Sequence, residues 1–336
     1  MNLPPSDYVS VREDRLLQFA TDCFQKSGIS AEHAALVSRL LVNSDLRGVR
    51  SHGTVQVGGY CLAFEGGSLN PAPVTKVVHE TPTCAVVDGD GTLGYMPMMQ
   101  AAELAVQKAK DVGIGMGLTR NIGHYGAAGN YVRACMEHGC IGYSSQGGFG
   151  QGNFRGQEPK PQIGYFGNPP FCIGIPSDTE PPVILDMATY ILTGVPHGPE
   201  VEELFEKYPV AFYRSIGFGV IASLLGGGLA GVTTADAREI AEKWPSAQQG
   251  GVVLAVDVKN AVDTQIFLAE ADRIVRDIRE SYAPLPGHDE ALVPGAIEER
   301  RFEFHRREGI RYGPGEQKAA RSVADRLEIP LPWEDW

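Results

Sequence analysis

Two histidines carry the side chains best suited to move a proton near neutral pH. His52 lies in DLRGVRSHG (residues 45–53) and His124 in NIGHYGAAG (residues 121–129). Imidazole titrates close to neutrality, so each ring can give or take a proton as a C–O or C–N bond changes oxidation state. Glycines on both sides of His124 let the backbone approach a flat partner closely. Two further stretches place polar groups among apolar ones: GNPPFCIGIP (167–176), followed by LDMAT (185–189) with Asp186, and Pro314-Gly315-Glu316 near the end. Each has a plainer reading. A loop histidine beside glycine is more often a surface or hydrogen-bonding residue, Asp186 at a strand end can cap a helix, and PGE can be only a turn. Taken alone, the residues make His52 and His124 candidate acid–base groups and go no further.

The elements that would position them follow from periodicity. Residues 11–26 carry Leu16, Leu17, Phe19, Ala20 and Phe24 at helical spacing; Gly28 ends that helix and Ser30 can cap a second one, with Ala34, Leu36, Val37, Leu40 and Leu41 on one face. The polar loop 45–53 comes next, then a short helix through Tyr60 and Phe64. From Pro71 the texture turns to strands, VTKVVHE and TCAVVDGD. An Ala-rich helix is expected over 96–112, a strand over 114–119, a helix over 130–138 and a strand over 140–144. A glycine-rich loop (147–164) precedes strands over 165–176 and 182–187. Another strand is expected over 251–257 and an amphipathic helix over 265–282. The tail reads as loop, the turn RYGPGEQ and a final helix through Leu327. This divides the chain into an N-terminal helical lobe (1–70), joined by the C-terminal segment 265–336, and a cofactor- and substrate-binding sheet domain (71–264).

One glycine pattern invites a misreading. Gly89, Gly91 and Gly94 have G-x-G-x-x-G spacing between a strand and a helix, the context of a dinucleotide-binding turn. The following strand, however, ends in Thr119-Arg120 and not in the acid that would bind a ribose hydroxyl. A tight turn needing positive φ explains the glycines better.

Composition narrows the class. Of 336 residues, 43% are hydrophobic and 21% charged, and the net charge of -12 is spread along the chain, which disfavours nucleic acid and anionic membranes as partners. The six cysteines lie beside apolar residues with no C-x-x-C, as reduced core thiols do, so the expectation is a cytoplasmic protein without structural zinc or other metal. No signal-peptide pattern opens the chain. The apolar run 216–232, with Gly227 and Gly231 four apart, is short and Gly-rich for a membrane span and is expected to be a buried helix packed closely on a neighbour.

The motifs in order (SHG after an acid-Leu-Arg-Gly run, GHYGAAG, the N-P strand, LDMA and PGE) resemble the malate/L-lactate dehydrogenase family from about residue 10 to 325. That family includes ureidoglycolate, sulfolactate and diketogulonate enzymes and a cyclic-imine reductase. The resemblance implies an α/β, non-Rossmann fold with a largely antiparallel mixed sheet. It implies a homodimer with active sites at the subunit interface, and hydride exchange between NAD or NADP and a small 2-hydroxy/2-oxo acid or cyclic imine. By position it makes His52 and His124 the proton-transfer pair with Asp186 beside them. It places cofactor contacts at His124, Gly148, Asn168, Pro169, Pro170, Arg214, Pro314, Gly315 and Glu316.

The sequence also departs from the family pattern. Gln56 stands where an Arg clamps the substrate carboxylate, and a neutral amide cannot form that bidentate, charge-assisted pair. Arg47, Arg50 or Arg120 is then expected to take over the clamp, with Ser51 beside the substrate, unless the substrate lacks the carboxylate. Arg214-Ser215 replaces Lys-Gly, Asn168-Pro169-Pro170 loses one side chain and one N–H, and Gly148 replaces a Ser. The stretch between LDMA and the apolar helix is shorter by some twenty residues, and the expected IP-x-GWA and TTDP features are missing. The first expectation is therefore an NAD(P)-dependent dehydrogenase or reductase with an altered pocket. The alternatives are a member that has lost nicotinamide binding and acts as an isomerase, lyase or hydrolase with the same histidines, and a non-catalytic binding dimer.

Overall fold

The computed structural model describes residues 4–148, 168–193 and 198–333. The chain opens with strand β1 (Val9–Val11), then helices α1 (Glu13–Lys26), α2 (Ala31–Leu46) and α3 (Val57–Glu65). The apolar stripe of α1 buries Leu16, Phe19, Ala20 and Phe24 in one core with Val37 and Leu41 of α2 and Val57 and Phe64 of α3. Ser30 caps α2, its Oγ accepting the His33 N–H at 3.2 Å. Val11, which helical spacing assigns to the first helix, is instead a strand residue paired with Ile310. Its partner strand β9 (Ile310–Tyr312) leads into α11 (Pro314–Leu327), whose Ala320, Val323 and Ala324 enter the same core. The chain's two ends thus share one core.

The PGE segment is therefore the first turn of a helix rather than a free turn; Pro at N1 loses no helical hydrogen bond. Asp45 and Leu46, read as loop, close α2. Helix α10 (Ala296–Glu308) was read as loop because AIEERRFEFHRRE has no continuous apolar stripe; only Ala296 and His305 are buried.

Seven strands form the central sheet: β2 (Lys76–Glu80), β3 (Cys84–Thr92), β4 (Ile114–Ile122), β5 (Cys140–Gly148), β6 (Pro170–Ile175), β7 (Val183–Ala188) and β8 (Gln249–Asp257). Their order is β2-β3-β4-β8-β5-β6-β7. Every pair is antiparallel except β3–β4, which is parallel and joined by α4 (Tyr95–Val112). This is an α/β fold with a largely antiparallel mixed sheet. The helix lies directly on its strand: a Cβ at Gly115 or Gly117 would sit 2.0 Å from the carbonyl oxygen of Ala105 or Ala101. Alanines on α4 and glycines on β4 are what permit that approach. Of the three fingerprint glycines only Gly91 (φ +83°) has positive φ, as the tight-turn reading requires. Helix α5 (Gly129–Met136) follows the His124 segment.

The apolar run corresponds to α7 (Pro209–Ser223) and a π-turn over Leu224–Gly228, flanked by α6 (Pro199–Lys207) and α8 (Ala235–Lys243), both unforeseen. Close packing occurs where expected in kind, with Gly226 and Gly227 against the backbone of Gly147 and Gly148. Burial of the whole helix does not hold: Val210, Tyr213, Ile221 and Leu224 are exposed. Pro209–Gly228 is long and apolar enough to cross a membrane by length and composition, but its glycine turn rests on the sheet. Strands β4 and β5 run past the ends read from sequence, to Ile122 and Gly148; most of the glycine-rich loop and the first residues of the strand expected over 165–176 lie outside the described residues. Helix α9 (Thr264–Ser281) matches expectation.

Gly117→Ala would force α4 off β4, and we predict a loss of about 1–3 kcal/mol in urea unfolding. An unchanged unfolding midpoint would show that the layers have slack there.

Candidate active site

His124 is held by the sheet. β4 ends in a register irregularity between Thr119 and Ile122, with Asn121 in the left-handed region (φ +55°). Asn121 Nδ2 donates to Asp88 at 2.8 Å, and Asp88 also accepts from Arg120 Nε at 2.9 Å. Gly123 N–H donates to Thr92 O (2.7 Å), Gly94 N–H to His124 O (3.0 Å), and Gln146 Nε2 to Gly123 O (2.9 Å). A Cβ on Gly94 would lie 2.6 Å from that of Tyr125. The last glycine of the misleading fingerprint thus clasps the His124 turn.

His52 is held by the helical lobe. It lies in a 3-10 turn, Arg50–His52, after α2. The Asp45 carboxylate accepts from Thr54 N–H (2.8 Å) and Thr54 Oγ1 (2.5 Å), and Thr54 Oγ1 contacts Tyr312 Oη at 2.8 Å. Gly53 has no alternative, since a Cβ there would lie 1.8 Å from Asp45 Oδ1. Burial pushes the Asp45 carboxyl up to about 7, against the opposing Thr54 hydrogen bonds. Arg50 grips Glu316 with two contacts of 2.5 Å, fastening the turn to the start of α11.

These supports bring the rings together. His52 and His124 have centroids 5.4 Å apart at an interplanar angle of 34°. His124 Nδ1 is 2.5 Å from Tyr60 Oη, and His52 Nδ1 is 2.9 Å from Ser51 Oγ. Burial, with His52 alongside, holds the His124 imidazolium down to about 4; burial also lowers that of His52. Both rings open on a cavity of about 1780 Å³.

Ser51, Arg47, Gly148, Asn168, Pro169, Pro170 and Asp186 also line that cavity. Asp186, exposed on the cavity wall, accepts the Gly129 N–H at 2.9 Å at the head of α5, and the desolvation of that recess raises its carboxyl against that bond and nearby Arg133. The Asn168 side chain is spent locally, Nδ2 on Thr193 Oγ1 and Oδ1 on Tyr190 N–H.

Other sequence candidates are placed elsewhere. Arg120 is not at the cavity: its guanidinium is buried on Asp88, Thr234 and Asp236. Arg50 and Glu316 fasten each other beneath the His52 turn, and Pro314 and Gly315 open α11 outside the lining. Gln56 also lies off the lining, its amide donating to Ser51 O at 2.7 Å. Arg214 is exposed on α7, away from the cavity. Sequence reading missed Tyr60, Asn130 and Arg133. Tyr60 has the helical spacing of a core aromatic, and Asn130 and Arg133 lie in the helix expected over 130–138; only their place after SHG and GHYG hints at more.

The geometry defines a class: an α/β chain whose cleft brings two imidazoles together on a wall that also carries a carboxyl. A family model described as malate/L-lactate dehydrogenase matches residues 11–194 and 200–319, and the chain belongs to that family. It is 28% identical to a malate dehydrogenase of Pyrococcus horikoshii, over 82% of this chain and 84% of that one. It is also 28% identical to an L-sulfolactate dehydrogenase of Methanocaldococcus jannaschii, over 92% and 95%. The solved structure of the Pyrococcus horikoshii malate dehydrogenase superposes with a TM-score of 0.82 at 25% identity, covering 98% of each chain.

A histidine kept neutral by burial costs stability in acid. An unfolded histidine takes up its proton near pH 6.5, whereas folded His124 does so only at about 4, so stability falls as pH drops through that window. His124→Gln keeps a hydrogen-bonding group without the titration. We predict that the stability difference between pH 7 and pH 5 shrinks by about 1–2 kcal/mol in this variant. An acid slope equal to that of the unsubstituted protein would contradict the assignment.

Proposed function

We propose that this protein is an NAD(P)-dependent oxidoreductase that exchanges a hydride with a small 2-hydroxy/2-oxo acid or a cyclic imine. The observation that carries the reading is the His52–His124 pair, 5.4 Å apart on one large cavity, in a chain of a dehydrogenase family. The residues present suit a nicotinamide dinucleotide. The cavity has room for it and a small substrate together, and Gly147 and Gly148 contribute side-chain-free positions to its wall. A bound reduced nicotinamide supplies the hydride. The chain's own part is to hold the substrate, keep water from the reacting centre and bring an N–H to the oxygen or nitrogen on which charge builds.

Of the three arginines considered as replacements for the missing clamp, Arg47 is the one on the cavity. Arg47 and Arg133 share a single carboxylate, Glu299, at 2.7 Å each. Arg133 also lies by Asp186, and Arg47 is the cation on the cavity wall that this reading assigns to a substrate carboxylate. Homodimerisation accords with the exposed apolar side chains of α7, and a cytoplasmic location with six unpaired thiols. Sedimentation giving the mass of one chain at micromolar concentration would reject the dimer.

Purified protein is expected to oxidise NADH or NADPH with a 2-oxo acid or a cyclic imine, and His124→Ala to reduce turnover at least a hundredfold, about the lower bound for losing an N–H aimed at developing charge. Undiminished turnover in that variant would remove the role of His124. No fluorescence response to either nucleotide would favour the nicotinamide-free isomerase, lyase or hydrolase.

A further inference from the structure

The reaction as proposed leaves open which imidazole exchanges the proton, and the answer lies in a chain of hydroxyls behind His124. We propose that Tyr60 is a positioning residue: its hydroxyl donates to His124 Nδ1 and fixes that ring as an uncharged Nε2–H donor to the reacting atom, leaving His52 as the imidazole that exchanges the proton. This rests on the oxidoreductase reading above.

Three groups lie in series. Tyr95 Oη is 3.3 Å from Tyr60 Oη, and Tyr60 Oη is 2.5 Å from His124 Nδ1. Tyr95 is fully buried and off the cavity lining, and Tyr60 is 8% exposed on the cavity wall. The series can run two ways. If Tyr95 donates to Tyr60 and Tyr60 to His124 Nδ1, every O–H has an acceptor and the ring's proton sits on Nε2. If His124 Nδ1–H donates to Tyr60, one O–H is left over, that of Tyr95 where Tyr60 donates to it or that of Tyr60 where it accepts from both, and neither makes another hydrogen bond among the described residues. A buried hydroxyl without a partner costs about 1–3 kcal/mol, so the first direction prevails.

The same reasoning bars a charged His124. An imidazolium needs N–H on both nitrogens, and an Nδ1–H would leave one of the two tyrosine O–H groups without an acceptor. It would also place a positive charge beside His52, which itself must be charged to donate. His52 is under no such constraint. Its Nδ1 partner is Ser51 Oγ at 2.9 Å, on an exposed residue whose hydroxyl can rotate to donate or accept. His52 therefore accommodates both protonation states while His124 accommodates one.

The step balances with these roles. In reduction a bound reduced nicotinamide would supply the hydride for the new C–H bond, and the C=O or C=N π pair would move onto the heteroatom. The His52 imidazolium gives its proton to that atom, becomes neutral and is reprotonated from solvent. His124 Nε2–H supplies a hydrogen bond throughout and transfers nothing. Oxidation runs the same path backward, with neutral His52 as the base.

Nitrogen-15 NMR of the histidine rings tests this in the intact protein, without turnover. For His124 we expect a pyrrole-type Nε2 and a pyridine-type Nδ1 that persist below about pH 6, while His52 titrates at higher pH. In Tyr60→Phe the His124 tautomers should mix, and kcat should fall about tenfold, the scale of one lost hydrogen bond, with KM changed less. The pH midpoint of kcat should stay where it was, because His52 sets it. A protonated Nδ1 on neutral His124 would overturn the proposal, as would a kcat midpoint that moves with the Tyr60→Phe substitution. If Tyr60→Phe does not fold, the tautomer of the unsubstituted protein decides alone. If no nucleotide-dependent turnover is found but the tautomer is as stated, the reaction fails and the positioning role stands.

Discussion

Two imidazole rings, one presented by the N-terminal helices and one by the central sheet, stand 5.4 Å apart, and most of the architecture serves that contact. Neither ring can be charged cheaply while the other is, and burial drives both toward neutrality. A pair so placed answers to small changes in position, which explains the density of hydrogen bonds on the two turns that present it. The His52 turn hangs from the helical lobe through Asp45, Thr54 and the Arg50–Glu316 pair. The His124 turn hangs from the sheet through Thr92, Gly94 and Gln146.

The sheet's one parallel pair has a positional purpose within this scheme. The β3–α4–β4 unit directs β4 so that its end reaches the cavity, and α4 can lie close only because β4 carries Gly115 and Gly117. The buried Arg120–Asp88 contact then locks the irregular end of β4 just before His124. A residue that sequence position offered as a substrate ligand turns out to brace the loop that carries the histidine. Arg50 and Glu316 have the same character on the other side. These are charges buried for geometry, where a broken pair would be costly.

Much of this was legible in the residues. Helical spacing and capping placed α1, α2 and α3 closely, and β-branched runs placed the strands. The glycine fingerprint reads as a tight turn, because the strand after it lacks a ribose-binding acid, and Gly91 has the positive φ that reading asks for. What stayed hidden has physical reasons. Charged α10 has no stripe to read, and Val11 was drawn into a strand by a partner 299 positions away, beyond any local pattern. Tyr60 looked like an ordinary core aromatic because a hydroxyl's partner cannot be seen from helical spacing. Arginines are ambiguous in sequence: the same guanidinium serves a substrate or a buried carboxylate, and only the fold separated Arg47 from Arg50 and Arg120.

The central claim is that the two imidazoles share one desolvated cleft and feel each other's charge. The most direct measurement is the proton-titration midpoint of His124, followed by its ring carbon-bound proton shifts, with and without the substitution His52→Ala. The account predicts that the His124 midpoint rises when the neighbouring ring is removed, as repulsion and part of the desolvation are relieved. A midpoint that stays in place would mean the rings titrate independently, and the paired site described above would not exist.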